Sequence, residues 1–313
     1  MNLDRTPALA PGSDPFLRRW ILAGFLALAA AAVVYGIGVC TRWGQQFGDA
    51  AYAGRMTAAP ELRNGALDVL DTLRAASVVL IGGGAVLTAL VRRRPRLAIV
   101  VAAVMGVSIL GAEVLKRTLV RPDFGIDPAG MTANWTPSGH TTVAVTLVLG
   151  VLMVVPTRLR WPVAIVGVLY AAAIASGTLA AGWHRPADAI TAALWSFAVA
   201  AAGVVVLAWW RGTGIDDADR IEHRRLHPIA VAVVVVLPIA VLIGSFAVDH
   251  DPLVFTGVNG RFVFASIAID VVAAAVVLVF ARFLRCVELD APQSGTTTEL
   301  SGSGGGDAQP VRG

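Results

Sequence analysis

The chain contains almost no lysine, little charge of either sign and only two cysteines. Charged residues make up 15% of its 313 residues, compared with roughly a quarter in soluble domains, whereas hydrophobic residues make up 56%. This composition excludes an ordinary soluble domain and indicates an integral membrane protein. The formal net charge is +4. In a membrane protein an excess of arginine usually reflects the orientation of the spans and not binding to nucleic acid. We therefore expect no nucleic acid partner.

Long apolar runs fill most of the chain. Uncharged runs of about 18 or more residues predict transmembrane helices. Eight such spans are predicted, near 20–39, 74–91, 97–116, 139–156, 161–181, 188–210, 228–248 and 262–284. The predicted fold class is therefore all-α, a polytopic membrane helix bundle. Because Cys40 and Cys286 end the first and the last span, they lie on opposite faces, which excludes a disulfide within one chain.

The predicted spans divide the chain into five segments. A short N-terminus precedes a six-span core, and a polar linker separates the core from two additional C-terminal spans. The tail is rich in Gly, Ser and Thr without apolar periodicity, which predicts disorder. The segments are 1–19, 20–210, 211–227, 228–286 and 287–313. The loop 40–73 contains an amphipathic segment, Glu61 to Leu73.

The distribution of arginine predicts the orientation. Most of the 25 cations lie on the side of the N-terminus, including the block 92–96. Basic residues near span ends favour the cytoplasmic side, so we expect cytoplasmic termini in a cell membrane. Lys116, His140 and His184 then fall together on the extracytoplasmic face.

The segment Pro137-Ser138-Gly139-His140 opens a predicted helix. The first N–H groups of a helix lack internal partners and carry the positive end of the helix dipole, so they bind anions. Gly139 would permit close approach and the Ser138 hydroxyl would add a donor. The alternative is an ordinary helix start, where Pro and Ser are common.

His184 and Asp188 are four residues apart at the start of the sixth predicted span. On a helix this spacing puts both side chains on one face, where the carboxylate can accept from Nδ1 and leave Nε2 as a nucleophile. The alternative is an interfacial histidine with an aspartate in the first helical turn. No third ligand of suitable type lies nearby, so we expect no zinc and no other cofactor.

Lys116, the only lysine, ends the third predicted span and is followed by Arg117 and Arg121. These cations could neutralise a phosphate and the charge that develops during its transfer. The alternative is that they are basic side chains at a span end. Glu113 is expected to pair with Lys116 or Arg117. Further along the chain, Trp183 fits either an interfacial belt or a substrate contact, and Asp270 fits either a helix–helix hydrogen bond or a proton path.

These motifs resemble the type 2 phosphatidic acid phosphatase family, membrane lipid phosphatases that share a core with vanadium haloperoxidases. The resemblance implies that His184 attacks phosphorus and is oriented by Asp188, and that His140 protonates the leaving alkoxide. It also implies that Ser138, Gly139, Lys116 and Arg121 bind the phosphate. Two positions depart from the family: Lys116 and Arg121 are two residues closer together, and Gly177-Thr178 replaces a Ser-Arg pair. Arg117 or Arg185 could supply the cation missing at Thr178.

The motifs and the resemblance predict a metal-independent phosphatase for a lipid phosphate or an isoprenoid (pyro)phosphate. A site beside the bilayer favours a substrate anchored in the outer leaflet among other membrane lipids. Two alternatives stay open. One is a lipid phosphotransferase that uses a hydroxyl acceptor, and the other is a catalytically weak lipid-phosphate-binding membrane protein.

Overall fold

The fold was analysed in a computed structural model, which describes residues 15–126, 133–211 and 259–285, together with 287 and 289. The described chain is helical and contains no strand within those ranges. We number its α-helices α1 Pro15–Gly38, α2 Arg42–Gly54, α3 Pro60–Asp71, α4 Ala75–Val91, α5 Pro95–Thr118, α6 Gly139–Val154, α7 Arg160–Ala180, α8 Pro186–Arg211 and α9 Gly260–Phe283. The prediction of an all-α polytopic bundle is confirmed.

Among the described helices, α1, α5, α7, α8 and α9 are long and apolar enough to cross a membrane. Helices α3 and α4 would form a sixth span if counted together, but they are bent by 52° at their junction. The predicted amphipathic segment 61–73 corresponds closely to α3. The predicted span 228–248 lies outside the described residues, as do nearly all of the linker and the tail.

Helix α6 differs from the span predicted at 139–156. It begins at Gly139 as expected, but it ends at Val154 after 16 residues. Val155 is already extended, because the proline at position 156 disfavours a helical conformation in the residue before it. The result is an apolar helix shorter than the other predicted spans.

Helix α8 lies at the centre of the bundle and contacts α1, α5, α6 and α9. Its side chains Leu194 and Phe197 are fully buried. Close approach between α5 and α8 depends on Gly111, since a Cβ there would lie 2.5 Å from a ring carbon of Trp195. The indole N–H of Trp195 donates to the Ser108 carbonyl at 3.0 Å. This packing holds the end of α5 near the start of α8.

One end of the bundle gathers arginine side chains around the end of α9. Arg19, Arg94 and Arg160 belong to the beginnings of α1, α5 and α7, and all three are buried. Each donates to a main-chain carbonyl within 283–289. The end of α5 and the starts of α6 and α8 therefore lie at the opposite end, as the alternation of predicted spans requires.

Asp270 faces a cleft of about 540 Å³ between α3, α7 and α9. The cleft is also lined by Ser176, Ser266 and Glu61. The Ser176 hydroxyl on α7 donates to the Ala172 carbonyl at 3.0 Å, and Oδ1 of Asp270 on α9 is buried without a hydrogen-bond partner among the described residues. The helix–helix hydrogen bond predicted for Asp270 therefore stays a prediction.

Candidate active site

The start of α8 holds a buried histidine–aspartate pair. Nδ1 of His184 lies 3.3 Å from Oδ2 of Asp188, and the two residues are only 6% and 3% exposed. The same oxygen accepts from the backbone N–H of Arg185 at 2.9 Å. The hydroxyl of Thr136 donates to the other oxygen, Oδ1. Because a carboxylate only accepts, the pairing places a proton on Nδ1, so Nε2 is the ring nitrogen of His184 that could act as a nucleophile.

A short segment before α6 connects α5 to α8. The side-chain amide of Asn134 donates to the Thr136 carbonyl at 3.1 Å and to the Lys116 carbonyl at 3.4 Å. The backbone N–H of Ser138 donates to the carbonyl of Asp188 at 3.0 Å. These bonds connect the backbones of Lys116 on α5 and Asp188 on α8 to the same stretch of chain, 134–138.

Helix α6 begins at the same place, with Ser138 as its N-cap. The Ser138 hydroxyl oxygen accepts from the Thr141 backbone N–H at 3.4 Å and from the Thr141 hydroxyl at 3.2 Å. The backbone N–H groups of Gly139 and His140 occupy the first turn, where no intrahelical acceptor exists. A Cβ on Gly139 would lie 3.7 Å from Nζ of Lys116. The lysine ammonium therefore lies close to the start of α6.

His140, His184 and Lys116 line one cavity of about 690 Å³. Gly139, Glu113 and the indoles Trp135 and Trp183 line it as well, and apolar side chains of the α3–α4 junction and α5 complete it: Leu73, Val78, Ile109 and Leu110. The sequence motifs that lie dozens of residues apart are thus brought together. Two imidazoles, one ammonium group and a helix start share a space large enough for a phosphorylated head group.

The two indole rings contact the two imidazoles. The Trp183 ring centroid lies 4.9 Å from that of His140, and the Trp135 centroid lies 6.3 Å from that of His184. Both tryptophans are about two-fifths exposed. Of the two interpretations of Trp183, the position beside His140 in the cavity supports a substrate contact.

The predicted arginine ligands lie elsewhere. Arg121 and Arg185 both contact Asp49 of α2, the former at 3.5 Å, and all three side chains are largely buried. Arg121 and Arg185 line a separate small cavity together with Asp188. Arg117 is bonded to Glu113 at 2.8 Å and its side chain is 76% exposed. Of the described residues that line the phosphate-sized cavity, Lys116 alone carries a permanent positive charge.

Glu113 behaves as the sequence predicts, since it pairs with both neighbours. Its carboxylate lies 3.5 Å from Nζ of Lys116 and 2.8 Å from the guanidinium of Arg117. This pairing holds the lysine at the edge of the cavity.

Several contributors to the site were not predicted. Thr136 and Asn134 immediately precede the Pro-Ser-Gly-His segment, and the sequence Asn-x-Thr is a signal for a local side-chain-to-backbone turn. The N–H of Thr136 indeed donates to the Asn134 side chain at 3.2 Å. Asp49 has no comparable signal, because a single aspartate on an amphipathic helix is usually solvated.

Fold and site together define an all-helical membrane protein whose cavity combines two histidines, a lysine and a helix start. Residues 96–212 match the model of the PAP2 superfamily. This match runs from α5 to α8 and contains all three motifs, so the resemblance that the motifs predicted is confirmed over this segment. The superfamily suggests phosphatase activity on lipid phosphates. No curated protein and no solved structure matched the chain.

Proposed function

We propose that the protein is a lipid phosphatase that works through a phosphohistidine on the extracytoplasmic face of the membrane. One observation carries the proposal. His184, oriented by Asp188, shares a cavity with His140 and Lys116 at the end of the bundle away from the arginine-rich end. That combination supplies a nucleophile, a proton donor and a positive charge around a single phosphate.

The first chemical step would form a bond between Nε2 of His184 and phosphorus. The bond from phosphorus to the lipid oxygen breaks, and protonated His140 gives its proton to the departing alkoxide. Asp188 stabilises the positive charge that the His184 ring acquires. Lys116 and the N–H groups at the start of α6 stabilise charge on the phosphoryl oxygens.

The second step would reverse these roles. His140, now neutral, takes a proton from a water molecule as that water attacks phosphorus. The nitrogen–phosphorus bond breaks, inorganic phosphate leaves, and His184 returns to its starting state. An acceptor hydroxyl in place of the water would give phosphotransfer. Hydrolysis is the case in which water is the acceptor.

The lining of the cavity supports a lipid substrate. It combines Lys116 and the two histidines with the apolar side chains Leu73, Val78 and Leu110. Leu110 and Val78 belong to helices whose outer faces expose large apolar side chains, so a lipid tail could leave the cavity towards the bilayer. Because the catalytic groups form and cleave the covalent bond themselves, the proposed reaction is independent of a metal.

The excess of arginine at the opposite end of the bundle supports the proposed orientation. Arg19, Arg94 and Arg160 all lie there, and basic residues favour the cytoplasmic side. The cavity would then open towards the outer leaflet.

Phosphate release from a lipid panel tests the proposal. Purified protein in mixed micelles would be given phosphatidate, phosphatidylglycerol phosphate and a polyprenyl pyrophosphate, each with and without a chelator and with glycerol as an added acceptor. We expect release from at least one lipid, undiminished by chelator and absent from a folded H184A variant. Full activity in H184A, or no release by the wild-type protein from any lipid, would refute the proposal.

A further inference from the structure

A guanidinium group lies against the turn that presents His184. Arg55 begins the short 3₁₀ turn that follows α2. Its Cζ lies 3.8 Å from the ring centroid of Tyr52, and Nη1 donates to the Tyr52 carbonyl. The arginine is thereby fixed over the aromatic ring one turn earlier in the chain.

The turn itself is shaped to admit Arg55. Gly182 has a φ of +77°, and a Cβ there would lie 2.5 Å from Nε and 3.0 Å from Cζ of Arg55. The Tyr52 hydroxyl donates to the Gly182 carbonyl at 2.8 Å. Any larger residue at Gly182 would be strained and would push the guanidinium away. Tyr52 and Arg55 thus hold the turn between α7 and α8 from one side.

This turn belongs to the candidate active site. Gly182 lines the same cavity as His140, Lys116 and His184. The backbone N–H of His184 donates to the carbonyl of Thr178 near the end of α7 at 3.2 Å, and this hydrogen bond closes the turn. A charge held against Gly182 is therefore separated from the cavity by little more than one residue of backbone.

Arg55 also differs from neighbouring arginines in its partners. Arg117 is paired with Glu113, and both Arg121 and Arg185 are paired with Asp49. Within the described ranges no carboxylate lies within ion-pairing distance of Arg55, whose contacts are with Tyr52 and Gly182. Its positive charge is not offset locally, and it can act on an anion in the cavity.

We propose that Arg55 is a positioning residue that fixes the turn carrying His184 and adds uncompensated positive charge beside the phosphate. This inference rests on the proposed phosphatase function and deepens it. An uncompensated charge near a partly desolvated anion strengthens its binding, so loss of that charge weakens binding by about tenfold or more.

The test measures binding of orthovanadate, a phosphate analogue, through the thermal shift of the detergent-solubilised full chain. Arg55→Met keeps the apolar stem over Tyr52 but removes the charge, and Arg55→Lys keeps the charge. Arg63→Gln is the matched control, because Arg63 is exposed on α3 away from the cavity. We expect Arg55→Met to bind orthovanadate at least about tenfold more weakly, with Arg55→Lys within about threefold and Arg63→Gln unchanged.

Wild-type affinity in a folded Arg55→Met protein would overturn the inference and leave the proposed function intact. Failure of the wild-type protein both to bind orthovanadate and to release phosphate from the lipid panel would overturn the proposed function and the inference together. If Arg55→Met does not fold, Gly182→Ala decides, because its Cβ displaces the guanidinium while the charge stays in the chain. Weaker orthovanadate binding in Gly182→Ala supports the inference, and wild-type binding there refutes it.

Discussion

Replacing Asp188 by asparagine separates the charge of this residue from its shape. In the wild-type protein its two carboxylate oxygens accept from His184, the Arg185 backbone and the Thr136 hydroxyl. An asparagine oxygen could still accept from His184 and Arg185, and its amide could donate to the Thr136 hydroxyl oxygen. The fold around the pair is therefore expected to survive.

The expected loss of rate follows from one charge-assisted hydrogen bond. His184 becomes positively charged when it bonds to phosphorus, and only the wild-type carboxylate offsets that charge. A hydrogen bond to a charged group contributes about 1.5–3 kcal/mol, which corresponds to about 10-fold to 150-fold in rate. We expect the kcat of Asp188→Asn to be about 10-fold to 150-fold lower than that of the wild-type protein. KM should be nearly unchanged, because substrate binding does not use Asp188.

Phosphate release and rapid-quench trapping would measure this effect. Radiolabelled phosphatidate in micelles gives kcat, and acid-labile, base-stable label on the protein reports the phosphohistidine. Asp188→Ala serves as a comparison: it leaves buried donors without an acceptor, at about 1–3 kcal/mol each in stability. A rate for Asp188→Asn within threefold of the wild-type value would refute the role assigned to the carboxylate.

Further variants test the remaining groups. His140→Ala should slow phosphate release from lipids at least about 100-fold. With an aryl phosphate, whose leaving group needs no proton, the same variant should still form the phosphoenzyme and accumulate it. An unaltered rate with lipid would count against a proton-transfer role. Lys116→Gln should lower kcat/KM about 100-fold, whereas the exposed Arg117→Gln should stay within about twofold, and equal losses in these two variants would contradict the special position of the lysine. Asp49→Asn removes the carboxylate that the buried Arg121 and Arg185 share and should lower the free energy of unfolding by about 3–5 kcal/mol. Thermal unfolding in detergent would show this as a lower Tm, and an unchanged Tm would mean that these pairs contribute little.

The helices could be predicted from the sequence because apolar runs and their flanking residues define them locally. Helix α5 begins at Pro95, directly after three consecutive arginines at 92–94, and α6 begins at Gly139, directly after its Ser138 cap. The break between α3 and α4 was harder to predict from the sequence. The angle of 52° depends on how an amphipathic helix packs against α7, and local composition does not encode that packing.

The site was predictable to the extent that residues within it are sequence neighbours. His184 and Asp188 are four residues apart, and this short separation brings them together even though His184 lies two residues before the start of α8. The positions of Arg121 and Arg185 depend instead on Asp49, more than 70 residues away from Arg121 along the chain. No pattern in the sequence links an aspartate on α2 to arginines in two separate loops.

Arg55 is the clearest example of this limit. Arg117 and Arg185, the predicted replacements for the cation missing at Thr178, each lie next to one of the recognised sequence motifs. The guanidinium that contacts the turn comes from the 3₁₀ turn after α2, more than 120 residues earlier in the chain, and the left-handed conformation of Gly182 leaves room for it. Only the three-dimensional contact identifies it.

The shortness of α6 implies that the proposed activity should depend on the thickness of the bilayer. Sixteen residues span about 24 Å at 1.5 Å per residue, less than the roughly 30 Å of a hydrocarbon core. With its other end at the far interface, the helix start that carries His140 would sit a few ångströms beneath the glycerol level. A substrate phosphate must then sink to meet it or the lipids must thin around it, and each cost depends on acyl chain length. Turnover in vesicles of shorter-chain lipids should consequently exceed turnover in longer-chain ones.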